Sequence, residues 1–190
     1  MRIPSIKTKR LILRPFTQGD ADSLFLILQE KDILQYFPPS SSPLTRERAE
    51  RLISNQLKHW EEHKLGWWAV EPRLTNQLIG WCGLQFLPET EETEVGFLTS
   101  RAFWGRGLTT EAAKASLLYG FEKLGLKCIV GITHPDNIAS QRVLEKIGMA
   151  FRTKTRYFGM DCCRYSIKRT SRSNSKDETT HIQVSLKSKP

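Results

Sequence analysis

Glu94-Val95-Gly96-Phe97-Leu98-Thr99, then Ser100-Arg101-Ala102-Phe103, then Trp104-Gly105-Arg106-Gly107-Leu108-Thr109-Thr110 follow one another through the middle of a 190-residue chain. The first six residues read as a strand. The last seven read as a glycine turn opening directly into a helix from about Thr109 to Lys123. Glycines at i and i+2 free the turn from Cβ hindrance, so successive backbone N–H groups can converge on one point. The first amides of the helix lack ladder partners, and its dipole adds positive charge there. Such a turn is a cradle for an anion of the diphosphate class. It is not a nucleotide P-loop, because no lysine follows the second glycine, and it lacks the third glycine of a dinucleotide fingerprint. Taken alone, the turn reads equally well as ordinary glycine punctuation before a capped helix. Gly96, inside a strand, marks either a bulge that frees an amide near Phe97 or Leu98, or the close approach of a neighbour.

Upstream, Leu11 and Leu13 alternate with Arg10, Ile12 and Arg14 in a strand ending at Pro15. A helix is expected from Thr17 to Gln29, with Leu24, Ile27 and Leu28 inward, and a second from Thr45, with Ala49, Leu52, Ile53, Leu57 and Trp60 at helical spacing. Trp67–Val70 and Gln77–Leu84 flank a turn at Thr75-Asn76 and predict a hairpin. Downstream, residues 126–133 form an apolar strand and Asn137 caps a helix ending at Gly148, with Ala139, Val143, Leu144 and Ile147 inward. Residues 149–158 and 163–167 form a closing pair of strands. The order predicts an α+β fold: one mixed, mostly antiparallel sheet of about seven strands with about four helices. Residues 1–169 make one domain. Residues 170–190 form a polar tail, expected to be disordered.

Composition narrows the function classes. The net charge is +9, of which +7 lies in residues 1–169, because the tail carries four basic and two acidic residues. The basic residues are scattered, and no interleaved aromatic and basic platform of a nucleic-acid binder is present. No apolar run approaches the ~18 residues of a membrane span, and no secretory apolar core follows Met1. The cytoplasm is the expected compartment. Cys82 and Cys128 sit in apolar runs as buried hydrophobes, and the adjacent pair Cys162-Cys163 lacks zinc spacing, so no metal is expected.

Four blocks in order give the chain a resemblance to the GNAT superfamily of N-acetyltransferases, in the branch of the RimJ/RimL-type ribosomal-protein N-terminal acetyltransferases. They are Thr8–Pro15, Leu78–Leu84, Glu94–Phe97 with Phe103–Ala112, and Asn137–Ser140 with Leu144–Met149. The resemblance implies acetyl-CoA as co-substrate and the fourth and fifth strands of the seven splayed apart, around Phe97, Leu98, Thr99 and Ile132–His134. The backbone of Trp104, Gly105, Arg106, Gly107, Leu108, Thr109 and Thr110 would hold the diphosphate. Asn137 would bind the pantetheine arm, Ser140 would lie near the sulfur as candidate acid, and Arg142 and Lys146 would neighbour phosphate. Three positions depart from the pattern. Ala102 stands where Gln or Arg is usual, and Leu144 where many relatives carry a tyrosine acid, while Met149 replaces a usual phenylalanine.

Attack on a thioester needs a neutral amine, so a base helps. Glu94, whose strand would pass beside the reacting carbon, is the first candidate, and His134 the second. The expected activity is direct transfer of acetyl to a primary amine, on a protein N-terminus or a small molecule, by a monomer or homodimer. The alternative is a non-catalytic acyl-CoA-binding regulatory module.

Overall fold

A computed structural model describes residues 3–38, 43–169 and 183–185. Its strands are β1 (Ser5–Lys7), β2 (Leu11–Arg14), β3 (Trp67–Pro72), β4 (Gly80–Leu87), β5 (Glu92–Thr99), β6 (Cys128–Thr133), β7 (Ala150–Tyr157), β8 (Met160–Lys168) and β9 (Gln183–Ser185). Its helices are α1 (Ala21–Leu28), α2 (Arg46–His63), α3 (Leu108–Glu122) and α4 (Ile138–Lys146). Among the described residues the strands form one sheet in the order β7-β8-β6-β5-β4-β3-β2-β1-β9. Every neighbouring pair is antiparallel except β5 and β6.

The seven strands expected from alternation are present, and β1 and β9 extend the sheet at one edge. Both are three residues long, too short for alternation to register. β9 falls within the segment expected to be a disordered tail and pairs with β1 through Ile6↔Val184. The rest of 170–190 lies outside the described residues.

Local chemistry accounts for the helices. The side chain of Thr45 accepts from Arg48 N–H and caps α2, which leaves through Lys64 in the left-handed region at φ 62°. The start expected at Thr17 opens as a 3-10 turn, Gln18–Asp20, where the Asp20 carboxylate accepts from Thr17 N–H and from Arg14. Arg14 also pairs with Glu71, tying β2, α1 and β3 together.

Two apolar layers sandwich the sheet. Leu11, Leu13, Trp68, Leu84, Val95, Ile129 and Leu144 pack with α3 and α4. Leu24, Ile27, Leu28, Ala49, Ile53, Trp81 and Leu98 join the α1–α2 face. α3 is buried almost all round, as its Ala112, Ala113, Ala115 and Gly120 allow. Leu118 and Phe121 are half-buried rather than fully inward, and so is Cys128. Ala139, expected to face inward, is exposed. It sits in the first turn of α4, before Leu144 and Ile147 reach the core.

Gly96 marks no bulge. The β4–β5 register runs unbroken from Gly80↔Thr99 to Leu87↔Glu92. The glycine makes room instead: a Cβ there would lie 3.2 Å from Trp81 and 3.4 Å from Trp67 Nε1. These two indoles stack at 3.7 Å with only 9° between their planes. A side chain at residue 96 would press on both of them.

Candidate active site

β5 and β6 are neighbours through one register pair, Glu94↔Val130. Beyond it the two strands part toward Thr99 and Thr133, opening a gap in the sheet. Consecutive strand amides point to opposite edges, so one of Phe97 and Leu98 turns its N–H into that gap. The free amide that a bulge would have supplied comes from the splay.

The glycine turn stands at the mouth of the gap. Gly105 and Gly107 adopt φ 73° and 71°, the left-handed region that a side chain would strain. The first bond into the α3 ladder is Glu111 N–H to Gly107 O. The amides of Leu108, Thr109 and Thr110 therefore come before the ladder begins, at the positive end of the helix dipole. Thr109 Oγ1 lies 2.9 Å from Thr99 Oγ1, pinning the helix start to the end of β5. Trp104, 48% exposed, donates from its indole to Thr99 O. Arg106, a candidate phosphate ligand, places its guanidinium 5.3 Å over the Phe103 ring.

Two side chains absent from the sequence-based site hold this turn from outside. Arg10 donates from Nη1 to Arg106 O at 2.9 Å and from Nε to Glu111 Oε2 at 2.6 Å. Glu111 Oε1 also accepts from Thr8 Oγ1 and Arg10 N–H. The opening block of sequence and the glycine turn are thus one structural unit. The proximity of Thr8-x-Arg10 to an acidic residue in the first turn of α3 is invisible at a separation of 101 residues.

Across the gap, α4 starts at Asn137, whose Oδ1 accepts from Ser140 N–H at 3.0 Å. This cap leaves the Asn137 amide NH2 as its remaining donor. Ser140 is half-buried in the first turn, while Arg142, two residues on, is exposed. Leu144 is buried against Gly131, where a Cβ would meet Leu144 Cδ2 at 2.5 Å.

Glu94 and His134 stand in different surroundings. Glu94 keeps some exposed surface, but burial of its carboxyl pushes its pKa up to about 8. A hydrogen bond from the backbone of Ile132 opposes that rise, and the negative charge of Glu92 adds to it. A carboxyl that titrates near neutrality is suited to proton transfer. His134 accepts the Asp136 N–H on Nδ1, and its ring stacks on Tyr36 with centroids 5.4 Å apart. The stack joins the end of β6 to the connection between α1 and α2. The same connection is anchored at its other end, where Glu30 accepts from Ser100 Oγ and Arg101 N–H.

Residues 10–150 match the family described as the acetyltransferase (GNAT) domain. The chain belongs to the GNAT family. It is an N-acetyltransferase by fold and family. It is 31% identical over 146 residues to the uncharacterized N-acetyltransferase YoaA of Bacillus subtilis (strain 168), covering 76% of this chain and 82% of that relative. A GNAT-family acetyltransferase structure from Bacillus anthracis superposes with TM-score 0.75 and 25% identity over 86% of this chain and 98% of its own. Mycobacterium smegmatis RimJ, solved with CoA-disulfide, shares the fold at TM-score 0.76 and 15% identity, over 88% and 90% of the two chains. GNAT enzymes use acetyl-CoA, and the left-handed glycines with the unladdered amides of α3 fit its diphosphate. No helix among the described residues is long and apolar enough to cross a membrane.

Proposed function

We propose that this GNAT enzyme acetylates a primary amine, on a protein N-terminus or a small molecule, with Glu94 as the base. The observation that carries the reading is an enclosed carboxyl of raised pKa on the strand that borders the gap. Bound acetyl-CoA supplies the activated acetyl group. Backbone amides of Gly105–Thr110 hold its diphosphate, and the amide of Phe97 or Leu98 that faces the gap polarises the thioester carbonyl. The Asn137 amide NH2 donates to the pantetheine arm, which runs between β5 and β6.

An amine entering over β5 loses its proton to the Glu94 carboxylate, directly or through one water, and attacks as the neutral base. Ser140, in the first turn of α4, donates toward the departing thiolate. Leu144 has no proton to offer, so this role falls to Ser140 or to solvent. His134, engaged by Asp136 N–H and Tyr36, is assigned to support rather than to proton transfer.

The test is an amine panel of free-N-terminal peptides and small primary amines, with thiol release and product mass as readouts for wild type and Glu94→Gln. Transfer to at least one amine, reduced at least tenfold in Glu94→Gln with unchanged acetyl-CoA affinity, is the expected result. Equal turnover in both proteins would remove Glu94 from the mechanism.

A further inference from the structure

Residues 150–156 of β7 are exposed, and the strand lies at the sheet edge with β8 as its ladder neighbour. Its turn is tight, with Phe158 and Gly159 both at positive φ (53° and 76°), as a two-residue hairpin connection of matching twist requires. The turn residues Phe158 and Gly159 are exposed as well, but the residues that flank them are anchored. Tyr157 and Cys162 are buried with Leu87 from the end of β4, and Ile132 and Met160 pack around them.

A polar cluster lies beside that apolar contact. Glu92, the first residue of β5, accepts from Tyr157 Oη at 2.6 Å on one carboxylate oxygen. Its other oxygen accepts from Arg164 Nε at 3.1 Å and also from Arg164 Nη2. Both charged side chains are about three-quarters covered, at 22% and 23% exposure. Such a pair is held by geometry rather than left to solvent. Glu92 and Glu94 are two residues apart on β5 and so face the same side of the sheet. The electrostatic neighbours of Glu94 are therefore Glu92 on its own strand and Cys162 on β8, with Arg164 and Tyr157 acting through Glu92.

We infer that Glu92, Tyr157 and Arg164 form a latch holding the β7–β8 hairpin tip over Glu94, so that Glu92 is a positioning residue that encloses the acceptor side of the site. The inference rests on the reading of Glu94 as base but has readouts of its own. Closing the latch removes water from one flank of Glu94, and desolvation is the largest cause of its raised pKa. Opening it lets water in and returns the carboxyl toward the ordinary range. The cofactor cradle, on the other side of the gap, is not part of the latch.

The test uses the full chain with Tyr157→Phe, Arg164→Met and Arg164→Lys, following amide hydrogen exchange and the carboxyl titration of Glu94 by NMR. Tyr157→Phe removes one hydrogen bond to a charged group, and exchange of the tip amides is expected to accelerate about tenfold without change in α3. Arg164→Met is expected to lower the Glu94 midpoint from near 8 as the tip lifts. If the arginine merely neutralised Glu92, its loss would leave an extra negative charge beside Glu94 and raise the midpoint. Arg164→Lys should restore part of the wild-type midpoint. Tip exchange unchanged in Tyr157→Phe, or a midpoint that rises in Arg164→Met, overturns the latch. Wild-type turnover in Glu94→Gln would instead overturn the base assignment and leave the exchange result standing.

Discussion

Arg10 and Glu111 meet across the mouth of the cofactor turn, Nε to Oε2 at 2.6 Å, while the same guanidinium holds Arg106 O from its other arm. The backbone amides proposed to grip the diphosphate are thereby braced by a strand from the far end of the sequence. Arg10 does not need to touch the cofactor to matter. A turn whose amides are already aligned loses less entropy on binding.

Removing that brace should weaken acetyl-CoA binding without touching the chemistry. Arg10→Ala is expected to raise KM for acetyl-CoA about five- to tenfold, a modest effect because the pair is partly solvent-screened, with kcat nearly unchanged. Arg10→Lys cannot bond Arg106 O and Glu111 together as a planar fork does and should recover only part of the loss. Steady-state kinetics at varied acetyl-CoA checks both.

The stacked indoles over Gly96 give a stability prediction. Gly96→Val places methyl groups where Trp81 and Trp67 Nε1 already lie, at 3.2 and 3.4 Å from the new Cβ. Overpacking of this kind costs about 1–3 kcal/mol. Thermal unfolding should shift down by several degrees, and the near-UV circular dichroism of the coupled indoles should fall.

Glu94 also links the fold to pH. Its carboxyl has a pKa of about 8 in the folded protein against 4.5 as the ordinary value, so the folded state binds this proton more tightly than the unfolded chain. Stability contributed by the group is therefore present at low pH and is lost as pH rises from 4.5 toward 8. Glu94→Gln has no such loss. Relative to wild type it should gain stability on going from about pH 5 to about pH 9 in denaturant titrations; an unchanged difference would show that the carboxyl is ordinary.

Ser140→Ala addresses the leaving-group side. Its backbone N–H, which donates to Asn137 Oδ1, survives the change. Turnover should drop about tenfold or more while acetyl-CoA affinity holds, as read from stopped-flow thiol release beside a binding titration.

Much of the fold is legible in the sequence. The alternation at Leu11/Leu13, the Thr45 cap, the Thr75-Asn76 turn and the glycine pair are local signals, and each element they predict is present. What the sequence leaves open depends on neighbours it does not show. Gly96 reads as a bulge or as a close approach, and only the placement of Trp67 and Trp81 over it decides for the second. His134 is offered as a base by its residue type, and its stacking on Tyr36 is not visible in the sequence. Arg10, Glu92 and Arg164 look like surface charges because their partners lie 65 or more residues away. β1 and β9 were too short to read.

Acetyl-CoA binding depends on main-chain donors of Gly105–Thr110 gripping a diphosphate beside parted strands. Calorimetric titration of the purified chain with acetyl-CoA tests it most directly. Micromolar-range binding with about one molecule per chain, weakened in Arg10→Ala, is the expected result. No detectable heat or competition at millimolar acetyl-CoA from a chain with intact thermal unfolding would contradict it.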